Sequence, residues 1–284
     1  MRKLLFLSVL VFFVVFSIET VGFNYVTGDH PYYITTGLLG QGHDLTLLVL
    51  RSMYLILPSF VRDTALPIFI NFMFVFSIYF MLKPFVKYPE WVFLLAPLMP
   101  LSNIYAQIFA ISFFNFMLGF YFRGKREVAP LFLVLVFLAH YWTGLFVAII
   151  FTLYVLAFDR KSLRDSLLPT AIIAGAFFLI LPQGIGFLTQ APIVVPMYYL
   201  TTAGFFILLS RGLIFFFLSF FGLWRLWIKD RGFFKINLML FLIPFFIVFA
   251  LPTSNYWDWR LLYFMPFLAL VSVFMSYLFE GKSK

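Results

Sequence analysis

The sequence contains no cysteine, only three histidines and few charged residues, which make up 11% of the chain. Without cysteine the protein has neither a disulfide nor a thiolate metal site, and cysteine usage gives no information about the redox compartment. About a quarter of the residues in soluble domains are charged. Because 64% of this chain is hydrophobic, it lies far outside that range and is predicted to be an integral membrane protein.

Long apolar runs of helical composition predict an all-α fold, a polytopic transmembrane helical bundle of about ten spans. No linker, low-complexity run or internal repeat divides the chain, and no loop is long enough for a separate soluble domain. We therefore expect residues 1–284 to form a single transmembrane domain. The expected spans are residues 4–18, 64–82, 90–101, 104–122, 128–140, 143–158, 165–182, 202–224, 236–252 and 261–279.

Two of these assignments depend on charge. Residues 90–122 and 128–158 are each too long for one ordinary span and too short for two full ones. Splitting both into short hairpins places 16 of the 20 Lys and Arg residues on the cytoplasmic side, as the positive-inside rule requires. The same rule explains the net charge of +9 without nucleic acid, since the basic residues fall in short groups between apolar spans.

The beginning of the chain and this topology together predict a multi-pass protein with both termini in the cytoplasm. Met1-Arg2-Lys3 precedes an apolar run, and no small-residue cleavage site follows it, which indicates an uncleaved signal anchor. The basic residues assigned to the cytoplasmic side are Arg2, Lys3, Lys83, Lys87, Arg123, Lys125, Arg126, Arg160, Lys161, Arg164, Arg225, Lys229, Arg231, Lys235, Lys282 and Lys284.

The remaining basic residues, Arg51, Arg62, Arg211 and Arg260, are all arginine and fall outside the cytoplasmic regions, as do all three histidines. The planar guanidinium group binds phosphate bidentately, so this composition favours a phosphate-binding outer face.

The longest outer loop, residues 23–63, supplies the first part of that face. Asp29 follows the first span closely and either only turns the chain or places a carboxylate just above the membrane. Asp44 and Arg51 are seven residues apart, on one side of a helix that Pro58 interrupts. Such a helix is expected to lie in the membrane interface.

Three later segments also place polar residues on the outer side. His140 is expected at the apex of the second short hairpin, where it either hydrogen-bonds a loop carbonyl or takes part in a site. Arg211 interrupts an apolar stretch, and an arginine inside a span usually faces a partner or a water-filled cavity. Asp258 and Arg260 lie between the last two spans, where they either pair with each other or bind a ligand.

This layout resembles the C-type (GT-C) membrane glycosyltransferases. The segment Gly28-Asp29-His30-Pro31-Tyr32-Tyr33 is similar to the family's Gly-Asp-Glu-Pro-x-Tyr segment, and Trp259-Arg260-Leu261-Leu262-Tyr263 with Pro266 is similar to its late motif. The stretch that starts at Asp44 corresponds to the family's interfacial helix. The chain departs from the family where His30 replaces the second acid and in lacking a soluble domain.

The resemblance implies transfer of a sugar from a polyprenyl-phosphate-linked donor to an acceptor at the outer membrane face. It implies that Asp29 is the catalytic base and that arginines hold the departing phosphate, which is the chemistry such a transfer needs. Tyr32, Tyr33, Tyr256 and Trp257 would stack on the sugar or line a lipid groove, unless they form an ordinary interfacial belt. The expected substrate-binding residues are His30, Tyr32, Tyr33, His43, Asp44, Arg51, His140, Arg211, Tyr256, Asp258 and Arg260.

The identity of any cofactor stays open at this point. His30, His43, Asp44 and His140 have side chains suited to a divalent metal, but their spacing matches no known metal motif. Two other functions also stay open. One is a transporter or lipid flippase, which normally places ionisable groups at the bilayer midplane. The other is a noncatalytic subunit with the same fold, which the replacement of an acid by His30 would fit.

Overall fold

A computed structural model describes residues 2–22, 56–98, 105–164, 168–173, 175, 213–250 and 265–280. Throughout these ranges the regular structure is helical, with no β-strand, so the predicted all-α fold is confirmed. None of the helices in these ranges combines the length and the hydropathy needed to cross a membrane.

The helices fall on the segments that the sequence predicted. Short 3-10 turns occur at Ala96–Leu98, Arg126–Val128 and Arg160–Ser162. The α-helices of the described residues include α1 (Arg2–Gly22), α2 (Ser59–Leu82), α3 (Trp91–Leu95), α4 (Tyr105–Tyr121), α5 (Ala129–Ala139), α6 (Tyr141–Phe158), α7 (Leu213–Lys229), α8 (Arg231–Ala250) and α9 (Phe267–Glu280).

The chain packs as two compact units, Met1–Val147 (unit 1) and Ala148–Lys284 (unit 2). Unit 1 is built around aromatic side chains. Phe12 of α1 and Phe93 of α3 are fully buried, and their ring centroids lie 6.3 Å apart. Phe72 of α2 contacts both rings, at 6.0 Å and 6.1 Å. These contacts join α1, α2 and α3.

In unit 1, α2 and α4 run in the same direction. The Asn115 side-chain amide donates to the Ser77 hydroxyl at 3.1 Å. One turn further along both helices, a Cβ atom on Gly119 would come within 2.7 Å of the Phe80 ring. Because the two helices are parallel, the chain must return between Leu82, at the end of α2, and Tyr105, at the start of α4.

A tight turn connects α4 to α5. Gly124 has φ +79°, a left-handed conformation that glycine adopts without steric cost. The Lys125 N–H bonds to the Phe120 carbonyl at 3.0 Å and the Gly124 N–H to the Tyr121 carbonyl at 3.0 Å, the pattern of a Schellman helix end. Pro130 in the first turn of α5 then starts the next helix, where its missing N–H costs nothing.

Among the described helices of unit 2, α8 is antiparallel to α7 and α9 is parallel to it. Phe220 contacts Phe241 and Trp227 contacts Phe234, so α8 runs back along α7. By contrast, α9 follows the direction of α7: Gly222 lies against Leu270, and the Trp224 ring lies 6.4 Å from the Tyr277 ring. Phe233 and Phe241 of α8 are buried in this unit.

We predict that Gly222→Ala destabilises unit 2. A Cβ atom there would lie 2.1 Å from the Leu270 carbonyl oxygen, and backbone atoms cannot move aside as a flexible side chain can. We expect a loss of about 1–3 kcal/mol of unfolding free energy, the usual cost of overpacking.

The control for this variant is Gly175→Ala, because nothing lies within 4 Å of a Cβ atom at that position. Denaturant titration of both variants in neutral detergent is the measurement. Equal midpoints for Gly222→Ala and wild type would show that α7 and α9 do not pack this closely.

Candidate functional site

Of the predicted site residues, only His140 lies within the described part of the chain. The others, Asp29, His30, Tyr32, Tyr33, His43, Asp44, Arg51, Arg211, Tyr256, Asp258 and Arg260, lie outside it. Their convergence on one site therefore stays a prediction.

His140 forms the junction between α5 and α6. Its backbone is extended, with φ −159° and ψ 106°, so the helix ends there as the segment length predicted. A Cβ atom on Gly144 would lie 2.2 Å from the Phe137 Cα. Residues seven apart in a continuous helix are separated by about 10 Å along its axis. The chain therefore turns back at His140.

The imidazole of His140 caps the start of α6. The Thr143 N–H donates to His140 Nδ1 at 3.2 Å, and the Thr143 hydroxyl lies 2.8 Å from the same nitrogen. The bond from the Thr143 N–H uses Nδ1 as an acceptor. The His140 carbonyl also accepts the first helical bond, from the Gly144 N–H at 2.9 Å. His140 is thus an N-cap residue.

His140 also lies away from the basic residues of unit 1. We define the basic end of unit 1 as Lys83, Lys87, Arg123, Lys125 and Arg126, which follow the carboxyl ends of α2 and α4. The α5 helix starts beside this end, and its 11 residues carry the chain about 16 Å along the helix axis to His140. The histidine and the basic groups therefore lie at opposite ends of α5.

Arg123 links α2 and α4 at the basic end of unit 1. Its guanidinium donates to the Gly119 carbonyl at 2.8 Å and to the Phe80 carbonyl, so one side chain joins α4 to α2. The same group lies 3.9 Å from the centroid of the Phe80 ring. Burial lowers the pKa of the Arg123 guanidinium from its ordinary value, but arginine stays charged at physiological pH. The charge also faces the negative ends of two helix dipoles.

In unit 2, charged side chains also make contacts at the ends of helices α7, α8 and α9. Asp230 separates α7 from α8, and its Oδ1 accepts the Phe233 N–H at 2.8 Å, which makes it the N-cap of α8. Glu280, near the end of α9, accepts from Lys229 at 3.1 Å and lies 3.8 Å from Arg225. Arg225 also lies 4.0 Å from the centroid of the Tyr277 ring.

The sequence analysis did not identify several buried polar residues of unit 1. They are Ser77 and Asn115, which form a hydrogen-bonded pair, and Glu90, which is only 2% exposed. All three lie in or beside apolar runs. Single polar residues in such runs were a usable signal, since a buried polar group must find a partner. No group of three or more metal-binding side chains occurs within the described residues, and the proposed ligands His30, His43 and Asp44 lie outside them.

No family model, curated protein or solved structure matches this chain.

We predict that His140→Ala destabilises the protein by about 1 kcal/mol while His140→Asn does not, because asparagine restores an N-cap acceptor. Thermal unfolding of both variants in detergent is the measurement. If the two variants unfold at the same temperature, the imidazole does not act as a cap.

Arg123→Met is expected to lower the unfolding free energy by about 2 kcal/mol, because two part-buried, charge-assisted hydrogen bonds to backbone carbonyls are lost. Arg123→Lys should lose part of this, since an ammonium group cannot reproduce the planar fork. Lys125→Met, at an exposed neighbour, is the matched control. Equal denaturation midpoints for Arg123→Met and Lys125→Met would contradict the fastening role.

Proposed function

We propose that this protein is a membrane-embedded glycosyltransferase of the GT-C type, built as a transmembrane helical bundle. It would transfer a sugar from a polyprenyl-phosphate-linked donor to an acceptor at the outer membrane face. The proposal combines the motifs around Asp29 and Arg260 with the distribution of apolar and basic side chains on the described helices.

The observation that carries the membrane part of the proposal is the exposure of large apolar side chains along whole helix faces. On α1, Leu7, Val14 and Ile18 are 55%, 50% and 62% exposed. On α7, Phe217 and Phe221 are 56% and 51% exposed and lie one turn apart. Contiguous apolar surfaces of this kind mark contact with a partner or with lipid, and the overall composition favours lipid.

The arrangement of unit 1 supports the proposed orientation. With the basic end of unit 1 in the cytoplasm, the direction of α5 carries His140 toward the outer side. That is the side on which the topology places Asp29, Arg211 and Arg260. The N-cap role of His140 changes its proposed part in the site, because the side chain shapes the hairpin there.

The proposed chemistry is a displacement at the anomeric carbon. Asp29 takes the proton of the acceptor hydroxyl, the acceptor oxygen bonds to the sugar, and the bond from sugar to phosphate breaks. Arg211, Arg260 and Arg51 would stabilise the negative charge on the polyprenyl phosphate that departs. We assign no metal to this step.

The test is release of polyprenyl phosphate from a polyprenyl-phosphate sugar by the purified full chain in the presence of acceptor. Asp29→Asn should lower turnover at least about 100-fold, the usual contribution of a general base. Asp63→Asn, the same charge change elsewhere in the outer region, should leave turnover unchanged.

Three outcomes would contradict the proposal. Equal turnover by wild type and Asp29→Asn would remove the catalytic assignment. Passage of unmodified labelled donor across proteoliposome membranes would indicate a transporter or flippase. Donor binding without turnover would indicate a noncatalytic subunit, which the presence of His30 in place of an acid would fit.

A further inference from the structure

One end of unit 2 carries an excess of positive charge. We define the basic end of unit 2 as Arg160, Lys161, Arg164, Arg225, Lys229, Arg231 and Lys235. The first three follow the end of α6, and the others lie near the end of α7 or the start of α8. Lys235 lies 4.3 Å from the centroid of the Phe158 ring, which brings the start of α8 to the end of α6.

The acidic residues that the structure describes at this end, Asp159, Asp230 and Glu280, are already engaged within the protein. Asp230 accepts the Phe233 N–H, and Asp159 Oδ2 accepts the Ser162 hydroxyl at 3.0 Å. Glu280 accepts from Lys229 and lies beside Arg225. Within the described residues, Arg160, Lys161, Arg164, Arg231 and Lys235 take part in no salt bridge.

Exposed aromatic and apolar side chains adjoin these cations. Trp224 and Trp227 near the end of α7 are 52% and 47% exposed. The Arg231 guanidinium lies 5.1 Å from the centroid of the Trp227 ring. Toward the start of α7 the exposed face is purely apolar, with Phe217 and Phe221. The surface therefore passes from apolar residues through tryptophan to cations along one helix.

We propose that the basic end of unit 2 binds the phosphate groups of anionic phospholipids. The inference rests on the membrane placement in the proposed function, but it concerns the opposite face from the proposed catalytic site. Along α7 the surface changes from apolar side chains to tryptophan and then to cations. This is the order of acyl chain, interface and headgroup in a membrane leaflet. A nucleic acid or an acidic protein would match the cations but would leave the apolar part of α7 uncovered.

Arg231 is the residue best placed for this contact. It is exposed, has no salt bridge within the described residues and stacks against an exposed tryptophan. Its planar guanidinium can grip a phosphate with two hydrogen bonds, whereas Arg225 is held by Glu280 and Tyr277. Arg231 should therefore contribute more to lipid binding than Arg225.

The experiment uses the full chain reconstituted in phosphatidylcholine vesicles that contain brominated lipid, which quenches nearby tryptophan fluorescence. We expect brominated phosphatidylglycerol to quench more strongly than brominated phosphatidylcholine at equal mole fraction. The excess quenching should be lost in Trp227→Phe and should shrink from 0.1 M to 1 M salt, since screening shortens the Debye length from about 10 Å to about 3 Å.

Arg231→Gln should weaken the preference for phosphatidylglycerol about fivefold, which corresponds to about 1 kcal/mol for one cation near an anionic surface. Arg231→Lys should retain part of the preference. Lys83→Gln, the same charge change in unit 1, is the control and should leave the quenching of Trp227 unchanged.

The outcomes separate this proposal from the membrane placement itself. If neither brominated lipid quenches fluorescence, the chain is not embedded and the proposed function fails. Equal quenching by both lipids in wild type would overturn only the anionic lipid site. Loss of the excess quenching on adding inorganic phosphate at constant ionic strength would show a site for free phosphate instead, and would also overturn it.

Discussion

The structure depends on hydrogen bonds to the unpaired backbone groups at helix ends, in a chain that has very few polar side chains. Each helix end leaves backbone N–H or C=O groups without helical partners, and in apolar surroundings such groups are costly. The described part of the chain uses single side chains for this purpose: His140 caps α6, Asp230 caps α8, and Arg123 binds carbonyls near the ends of α2 and α4.

The helix positions could be predicted from the sequence because apolar runs alternate with short basic groups. The break at His140 could also be predicted, since residues 128–158 are too long for one span and too short for two. The cause of the break could not, because histidine is not a usual N-cap residue. Nor could the close contact of Gly222 with Leu270, since no local pattern names a partner 48 positions away. The division into two compact units left no signal in composition either.

The candidate site shows what sequence reasoning can and cannot provide. Sorting charges by side separated Arg211 and Arg260 from the cytoplasmic cations, and the motif around Asp29 supplied a chemistry. Neither step gives distances between residues that are far apart in the chain, so convergence of these groups stays a prediction. The polar groups that the structure does describe serve mainly to hold helices together, whereas several cations at the basic end of unit 2 take part in no salt bridge within the described residues.

The central proposal is that the basic end of unit 1 and the first outer loop lie on opposite sides of a membrane. The absence of cysteine makes single-cysteine labelling with a membrane-impermeant maleimide the most direct test. Thr35→Cys, in the first outer loop, should react in intact cells, whereas Lys125→Cys, at the basic end of unit 1, should react only after permeabilisation. Labelling of both positions from the same side would contradict the account.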